Sequence, residues 1–289
     1  MTYYRRLPKF DYLAPKSVAE VLSLLDQHKT ACRLLAGGTI TLHQMKERVN
    51  VRPFVIGLKG VSGLDRISPD RAQGLTIGST ALLQDVADST EVRQRCPLLA
   101  RVCGSLGTPQ MRSMGTLGGN VAARFSTSEA LPALIALGAE AKLATAAGER
   151  VLQVEDLHRE MKAGELLTGI RISPPAAGVR TGYCKFAMRE RYDYAVVAAA
   201  VKLRLEGKKC EEIMIGLGGV SLPTMRAKPA EEIMKGQIVT GAAIDEASRK
   251  AAEEGRTGSD MMFSADYKKK VLRVMVERAL REAMEGVVP

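Results

Sequence analysis

The sequence predicts an α+β fold in two parts, on three observations. Up to about residue 175, short apolar runs alternate with amphipathic helical stretches, the pattern of a mixed α/β part. A Pro/Gly-rich stretch, "SPPAAGVRTG" at 173–182, then interrupts the chain. Beyond it come three strand-like runs and then three helical ones, the order of a small sheet backed by helices. The 289 residues, 46% of them hydrophobic and 26% charged, suffice for two cores. With aromatics at 4% and no Trp, those cores must be built from Leu, Val, Ile, Ala and Met.

Each element has a local reason. In "SVAEVLSLLDQH", Ser17 and Glu20 form a capping box, and Val18, Val21, Leu22 and Leu25 make a buried stripe. "ACRLLAGG" reads as a short strand running into glycine; "ITLHQMKERV" then turns helical, with Leu42, Met45 and Val49 on one face. "FVIGL" and "GLTIGST" read as strands, "LLQDVADSTEVRQR" as one helix and "PLLARVCGSL" as another. After the turn "GTLGGN", "EALPALIALG" is helical, and "AEAKLA" and "ELLTGIRIS" are strands. Past the linker, "YCKFAMR", "AVVAAAVKLRL" and "CEEIMIGLGGV" are strands, followed by helices in "AKPAEEIMKG", "AIDEASRKAAEE" and "SADYKKKVLRVMVERALREAM".

Composition excludes several functions. The net charge of +10 comes from scattered basic residues with acids among them. The one run, Lys268 to Lys270, precedes a helix with an apolar face of Val271, Leu272, Met275 and Leu280, and reads as a solvated helix face. Without interleaved aromatics, nucleic acid is not an expected partner; an anionic cofactor or an acidic subunit suits the charge equally well. Cysteines at 32, 96, 103, 184 and 210 are odd in number and lack CxxC spacing. Reduced thiols in a cytoplasm are expected, with no disulfide framework, structural zinc or iron–sulfur cluster on this chain. "MTYYRRLPKF" is no signal peptide, and no stretch is long enough to cross a membrane.

The chemistry lies in two glycine turns. "AGGTIT", Ala36 to Thr41, ends a strand and opens a helix, placing bare amides and a hydroxyl where an anion is favoured. "GTLGGN" adds a second turn with the Thr116 hydroxyl and the Asn120 side chain. Two such turns suit a pyrophosphate, and they equally suit two tight bends; the pattern leaves both open. "GLGGV" at 216–220 leads into no helix, so a Rossmann site is unsupported, and there is no Walker A or GxSxG sequence. His28, His43 and His158 lack metal-ligand spacing. With no catalytic or metal residues to name, the chain suits a protein whose cofactor does the chemistry.

Six ordered segments extend this. "FDYLAPKSVAEVLSLLDQ", "LLAGGTITLHQMK", "IGLKGVSGL", "PQMRSMGTLGGN", "GELLTGIRI" and "KFAMRERYDYAVVAAAV" together resemble the FAD-binding medium subunit of molybdenum hydroxylases, of the carbon monoxide dehydrogenase and xanthine dehydrogenase types. The resemblance covers nearly the whole chain. It implies a vanillyl-alcohol-oxidase/p-cresol-methylhydroxylase-type FAD-binding domain at 1–175, with two α/β subdomains that break near 57. A C-terminal domain at 180–287, a small three-stranded sheet with helices, follows.

The resemblance also implies cofactor contacts. The first pyrophosphate loop falls on Leu34, Leu35, Ala36, Gly37, Gly38, Thr39, Ile40 and Thr41, and the second on Thr116, Leu117, Gly118, Gly119 and Asn120. Leu106, Glu129, Leu167 and Lys185 match further contacts, Lys185 as a cation near the flavin, and Tyr194 matches the residue that packs over the flavin ring. Ile40 replaces a residue that is often polar in the family, and Glu129 replaces an Asp. The segment "DLHREMKAGELL" is short, opening the flavin edge, and the cysteine-rich insertion of the 4-hydroxybenzoyl-CoA reductase type is absent. The implied activity is an oxidoreductase's electron transfer. Molybdopterin sits on a large partner subunit and 2Fe-2S clusters on a small one, and FAD on this chain passes electrons to NAD or another acceptor. A stand-alone flavin oxidoreductase, or a scaffold subunit that has lost FAD, are the alternatives.

Overall fold

A computed structural model describes residues 6–70, 74–123, 125, 127–189, 192–220 and 225–285. Glu190 and Arg191 of the "RERYDY" segment, residues 221–224 after "GLGGV", and the end of the expected 180–287 module lie outside the described residues.

The chain opens with β1 (Asp11–Leu13), α1 (Val18–His28), β2 (Cys32–Leu35), α2 (Thr41–Lys46) and β3 (Phe54–Gly57). The strands form a parallel sheet in the order β1-β3-β2. At α1 the Glu20 amide donates to Ser17 Oγ at 3.2 Å while the Glu20 carboxylate accepts from the Lys16 amide, a reciprocal cap. Its apolar stripe packs Val21 and Leu25 against Ile56 and Leu166.

A second sheet follows from β4 (Ile67–Asp70), β5 (Gly74–Gly78), β6 (Glu140–Thr145), β7 (Gly148–Gln153) and β8 (Leu166–Ile172), antiparallel in the order β4-β5-β8-β6-β7. Between β5 and β6 run α3 (Leu83–Asp88), α4 (Thr90–Arg95), α5 (Pro97–Ser105), α6 (Pro109–Arg112), α7 (Leu117–Ala122) and α8 (Ala130–Leu137), and α9 (Leu157–Glu160) precedes β8. The single helix expected over "LLQDVADSTEVRQR" is two, because Ser89 leaves the helical conformation and caps α4 through the Val92 amide. "LGGN", expected as a turn, is the body of α7.

The third part holds β9 (Val179–Phe186), β10 (Val197–Glu206), β11 (Lys209–Gly218) and β12 (Met225–Arg226), then α10 (Lys228–Met234), α11 (Gly241–Glu254) and α12 (Ala265–Glu285). The expected three strands gain a two-residue fourth, in the order β12-β11-β10-β9. Arg226 pins it with a fork onto buried Glu231, which also accepts from the Ile215 amide. β9 begins at Val179, inside the stretch read as linker. Lys268, expected on a solvated face, is only 8% exposed and pairs with Asp260 at 2.6 Å.

Helix α8 joins the second and third parts. Residues 130–136 are buried all round, as a helix between two sheets must be. Leu131, Leu134 and Ile135 face the core of the second sheet, whereas Ala133 and Ala136 face Ala198 and Ala200 of β10. Small residues permit this approach: a Cβ on Gly216 of β11 would lie 2.1 Å from the Pro132 carbonyl oxygen.

Candidate cofactor-binding site

The first glycine loop runs from the end of β2 into α2, and residues 31–42 are all half-buried. Gly38 has φ +77°, the left-handed conformation that glycine adopts without strain. Among the described residues, no acceptor is found for the amides of Gly37, Gly38, Thr39, Ile40 and Thr41. The helical ladder starts only with Leu42, which donates to the Gly38 carbonyl at 2.9 Å. Ile40 is the N-cap of α2 and has no side chain able to cap it. Five uncommitted donors around a left-handed glycine form an anion-binding concavity.

The second loop differs, and the expectation that it presents its own amides is corrected. Leu117 donates to the Ala81 carbonyl, Gly118 to Ser79, Gly119 to Thr116 Oγ1 at 3.0 Å and Asn120 to the Thr116 carbonyl. All four amides are spent because Thr116 caps α7 and the 79–83 segment lies against it like a strand, with Leu83 donating back to Gly115. Asn120 accepts from Ser128 Oγ at 2.6 Å, which leaves its amide nitrogen without an acceptor among the described residues.

The two loops touch. A Cβ on Gly37 would fall 2.0 Å from the Met114 carbonyl oxygen, one on Gly119 would sit 3.9 Å from Ala36, and one on Gly115 3.9 Å from Thr39 Oγ1. A Cβ on Gly118 would lie 2.6 Å from Ser79. The glycines therefore let backbones meet, and the second loop buttresses the first.

Ser128 leads to the second cluster. Its neighbour Glu129 is fully buried. It accepts from Lys185 Nζ at 2.8 Å, the Tyr183 hydroxyl at 3.0 Å and the Ala195 amide at 3.1 Å. The longer Glu side chain reaches this interior. Burial pushes its carboxyl above the usual range even though Lys185 pulls the other way, and burial beside Glu129 holds the Tyr183 hydroxyl well above its ordinary value. Lys185 also donates to the carbonyls of Ser105 at 2.9 Å and Asp193 at 3.3 Å. An ammonium has three protons, and all three are taken. Lys185 is thus a charge balanced by Glu129.

Leu106 caps the end of α5 next to Ser105 and is 8% exposed; Leu167 in β8 is 5% exposed. Leu167 connects to the loops through its neighbour Thr168, whose carbonyl accepts from the Ser79 amide. Tyr194 is 57% exposed. Contacts thus link the first loop, the second loop, Asn120, Ser128, Glu129, Lys185 and the Tyr194 segment in one series.

Sequence reasoning missed Ser79, Ser105, Ser128 and Tyr183. Tyr183 had a signal, since a period of two puts it on the face of β9 that carries Lys185; the others act through backbone or at loop positions without a pattern. The Ser79 hydroxyl is buried without a partner among the described residues. Two clefts, of about 590 and 780 Å³, are lined from α3 to α6 and from the 172–181 linker, and contain no residue of either glycine loop.

Residues 8–175 match the family described as the FAD binding domain in molybdopterin dehydrogenase, and residues 182–283 match the CO dehydrogenase flavoprotein C-terminal domain. This chain belongs to the FAD-binding medium subunits of molybdenum hydroxylases. The carbon monoxide dehydrogenase medium chain of Afipia carboxidovorans is 32% identical over 95% of this chain and 96% of its own. The xanthine dehydrogenase FAD-binding subunit of Escherichia coli O157:H7 is 20% identical over 94% and 95%. A solved carbon monoxide dehydrogenase from Hydrogenophaga pseudoflava, which lacks the Mo-pyranopterin moiety of its cofactor, superposes with a TM-score of 0.93 at 30% identity, covering 97% of this chain and 99% of that one. Such medium subunits are parts of oxidoreductases, and the residues here fit FAD: its pyrophosphate needs donors without acceptors, which the Gly37–Thr41 amides provide. Among the described residues, this medium subunit has no cluster of three metal-ligating side chains and no helix long and apolar enough to cross a membrane.

Proposed function

We propose that this medium subunit is the electron-transfer flavoprotein of a cytoplasmic molybdenum hydroxylase complex. It receives electrons from a 2Fe-2S small subunit and delivers them to NAD or another acceptor, while a molybdopterin large subunit oxidises the substrate. The division of labour within the chain is 1–175 for the cofactor and 180–287 for the C-terminal module. The observation that carries this reading is the row of five amides from Gly37 to Thr41 that find no acceptor among the described residues, buttressed by α7. Its relatives include medium chains of carbon monoxide and glyceraldehyde dehydrogenases, which supports the complex but leaves its substrate to the partner subunit.

The residues act by binding and orientation. The Gly37–Thr41 amides hold the pyrophosphate, Asn120 offers its amide nitrogen beside them, and the Thr116 cap keeps α7 in place behind. Leu106 and Leu167 provide apolar walls and Tyr194 an aromatic face for the ring. Bound FAD supplies the reversible uptake and release of electrons.

The test is to co-express the chain with large and small subunits of a molybdenum hydroxylase from the same source and purify the complex. Stoichiometric flavin, together with loss of its visible absorbance on adding NADH, is expected for an NAD-linked complex. Loss of absorbance only with substrate and not with NADH would point to another acceptor. A stable complex without flavin would mean that the chain is a scaffold.

A further inference from the structure

One ion pair holds the backbone on both sides of Tyr194. Lys185 Nζ donates to the carbonyl of Asp193, the residue before it, and Glu129 Oε1 accepts from the amide of Ala195, the residue after it. The two charged groups meet at 2.8 Å. Lys185 is further tied to the Ser105 carbonyl at the end of α5, and Glu129 to the Tyr183 hydroxyl on β9. Four separate stretches of chain converge on one carboxylate and one ammonium.

We propose that Glu129 and Lys185 are positioning residues for Tyr194, holding the backbone on both sides of the ring that packs over the flavin. The proposal rests on the reading of the cofactor site given above. The Glu129 side chain is fully buried, and the three Lys185 protons all go to protein acceptors. The segment around Tyr194 needs an outside anchor. Among the described residues, the Asp193 side chain bonds only within the segment, accepting from the Tyr194 amide at 3.1 Å and from Arg189 at 3.3 Å. Tyr192 sits at φ +64°, a left-handed conformation that a non-glycine residue keeps only when its surroundings impose it. The Val196 amide bond to Phe186 continues the strand pairing beyond the segment, and Ala195 packs its methyl beside Tyr183 and Ala133; among the described residues, the Glu129–Lys185 pair supplies the hydrogen bonds that tie the backbone of residues 193 and 195 to the body of the protein. A buried pair of this kind contributes little net stability against an apolar replacement, which leaves specification of geometry as its use.

The experiment uses the purified full chain reconstituted with FAD and reads affinity and emission per bound flavin, since a stacked tyrosine quenches flavin emission. The variants are Tyr194→Ala, Glu129→Gln/Lys185→Met, and all three changes together. The double change removes both charges, so no buried charge is left unpaired. It is expected to raise emission per bound flavin to the level of Tyr194→Ala and to weaken FAD binding about three- to tenfold, the worth of one aromatic contact. Adding Tyr194→Ala to it should then change neither reading. Should the double variant fail to fold, Glu129→Asp carries the test. It keeps the charge but cannot span Lys185 and Ala195 together, and is expected to raise the emission part of the way. Unchanged emission in a folded variant, or full additivity with Tyr194→Ala, overturns the proposal while leaving the FAD site intact. If the unaltered chain binds no FAD, the reading of the site itself fails, and the proposal with it.

Discussion

Gly37 shows how tightly one residue can constrain a site. Its missing Cβ would stand 2.0 Å from the Met114 carbonyl oxygen, so any side chain there must force the two loops apart. Gly37→Val is expected to cost about 1–3 kcal/mol of stability, as overpacking does, and to weaken FAD binding more than tenfold because the five amides lose their buttress. Thermal unfolding of the apo chain and FAD titration read the two effects separately. Charge at Glu129 obeys a different rule. Glu129→Ala strands Lys185 and should cost about 3–5 kcal/mol, whereas Glu129→Gln/Lys185→Met should cost clearly less, since an uncharged pair replaces a buried ionic one; denaturant midpoints decide. Glu165, just before Leu167, gives the pH dependence. Its fork with Arg150 holds the carboxyl below the usual glutamate range. A lowered folded-state value means that this stabilisation is complete above the unfolded value near pH ~4.3 and is lost as the pH falls below it. Arg150→Met should therefore flatten acid destabilisation between about pH 5 and 3. Glu129 has the opposite sign: burial raises its value, so its own titration opposes folding as pH rises.

Helix α8 is the element on which the halves of the chain depend. Its leucines fill one core and its alanines meet the alanines of β10, with Gly216 giving the Pro132 carbonyl room. Gly216→Val should push α8 off β11 and lower stability by about 1–3 kcal/mol. Because Glu129 begins α8, the same change should also weaken FAD binding, measurable by titration of the folded variant. The alternation of β10 and the apolar run of α8 made both legible in the sequence. The elements that were not legible share a physical reason. β1, β4 and β7 are edge strands, which need no apolar run to keep their place. The break at Ser89 lies in one hydroxyl choosing a cap over a helix interior. In the candidate site, the glycine loops were legible as motifs, but their unequal roles were not: which amides are spent depends on the 79–83 segment, distant in sequence and without a motif of its own.

For the whole molecule, the amides of Gly37 to Thr41, which find no acceptor among the described residues, are what the proposed cofactor would engage. A ligand that binds only the folded chain stabilises it by mass action. FAD at about a hundred times its dissociation constant should add about 2.7 kcal/mol and raise the unfolding midpoint by roughly 4–5 °C for a chain of this length. If the Gly37–Thr41 amides grip the pyrophosphate, that gain must depend on the phosphates and not on the ring alone. The decisive measurement is therefore a parallel titration of the purified chain with FAD and with riboflavin, following flavin fluorescence anisotropy. One FAD per chain, with riboflavin at least about a hundredfold weaker, is the expected result, two decades being the worth of two charge-assisted hydrogen bonds. Equal binding of the two ligands, or no binding of FAD, would contradict it.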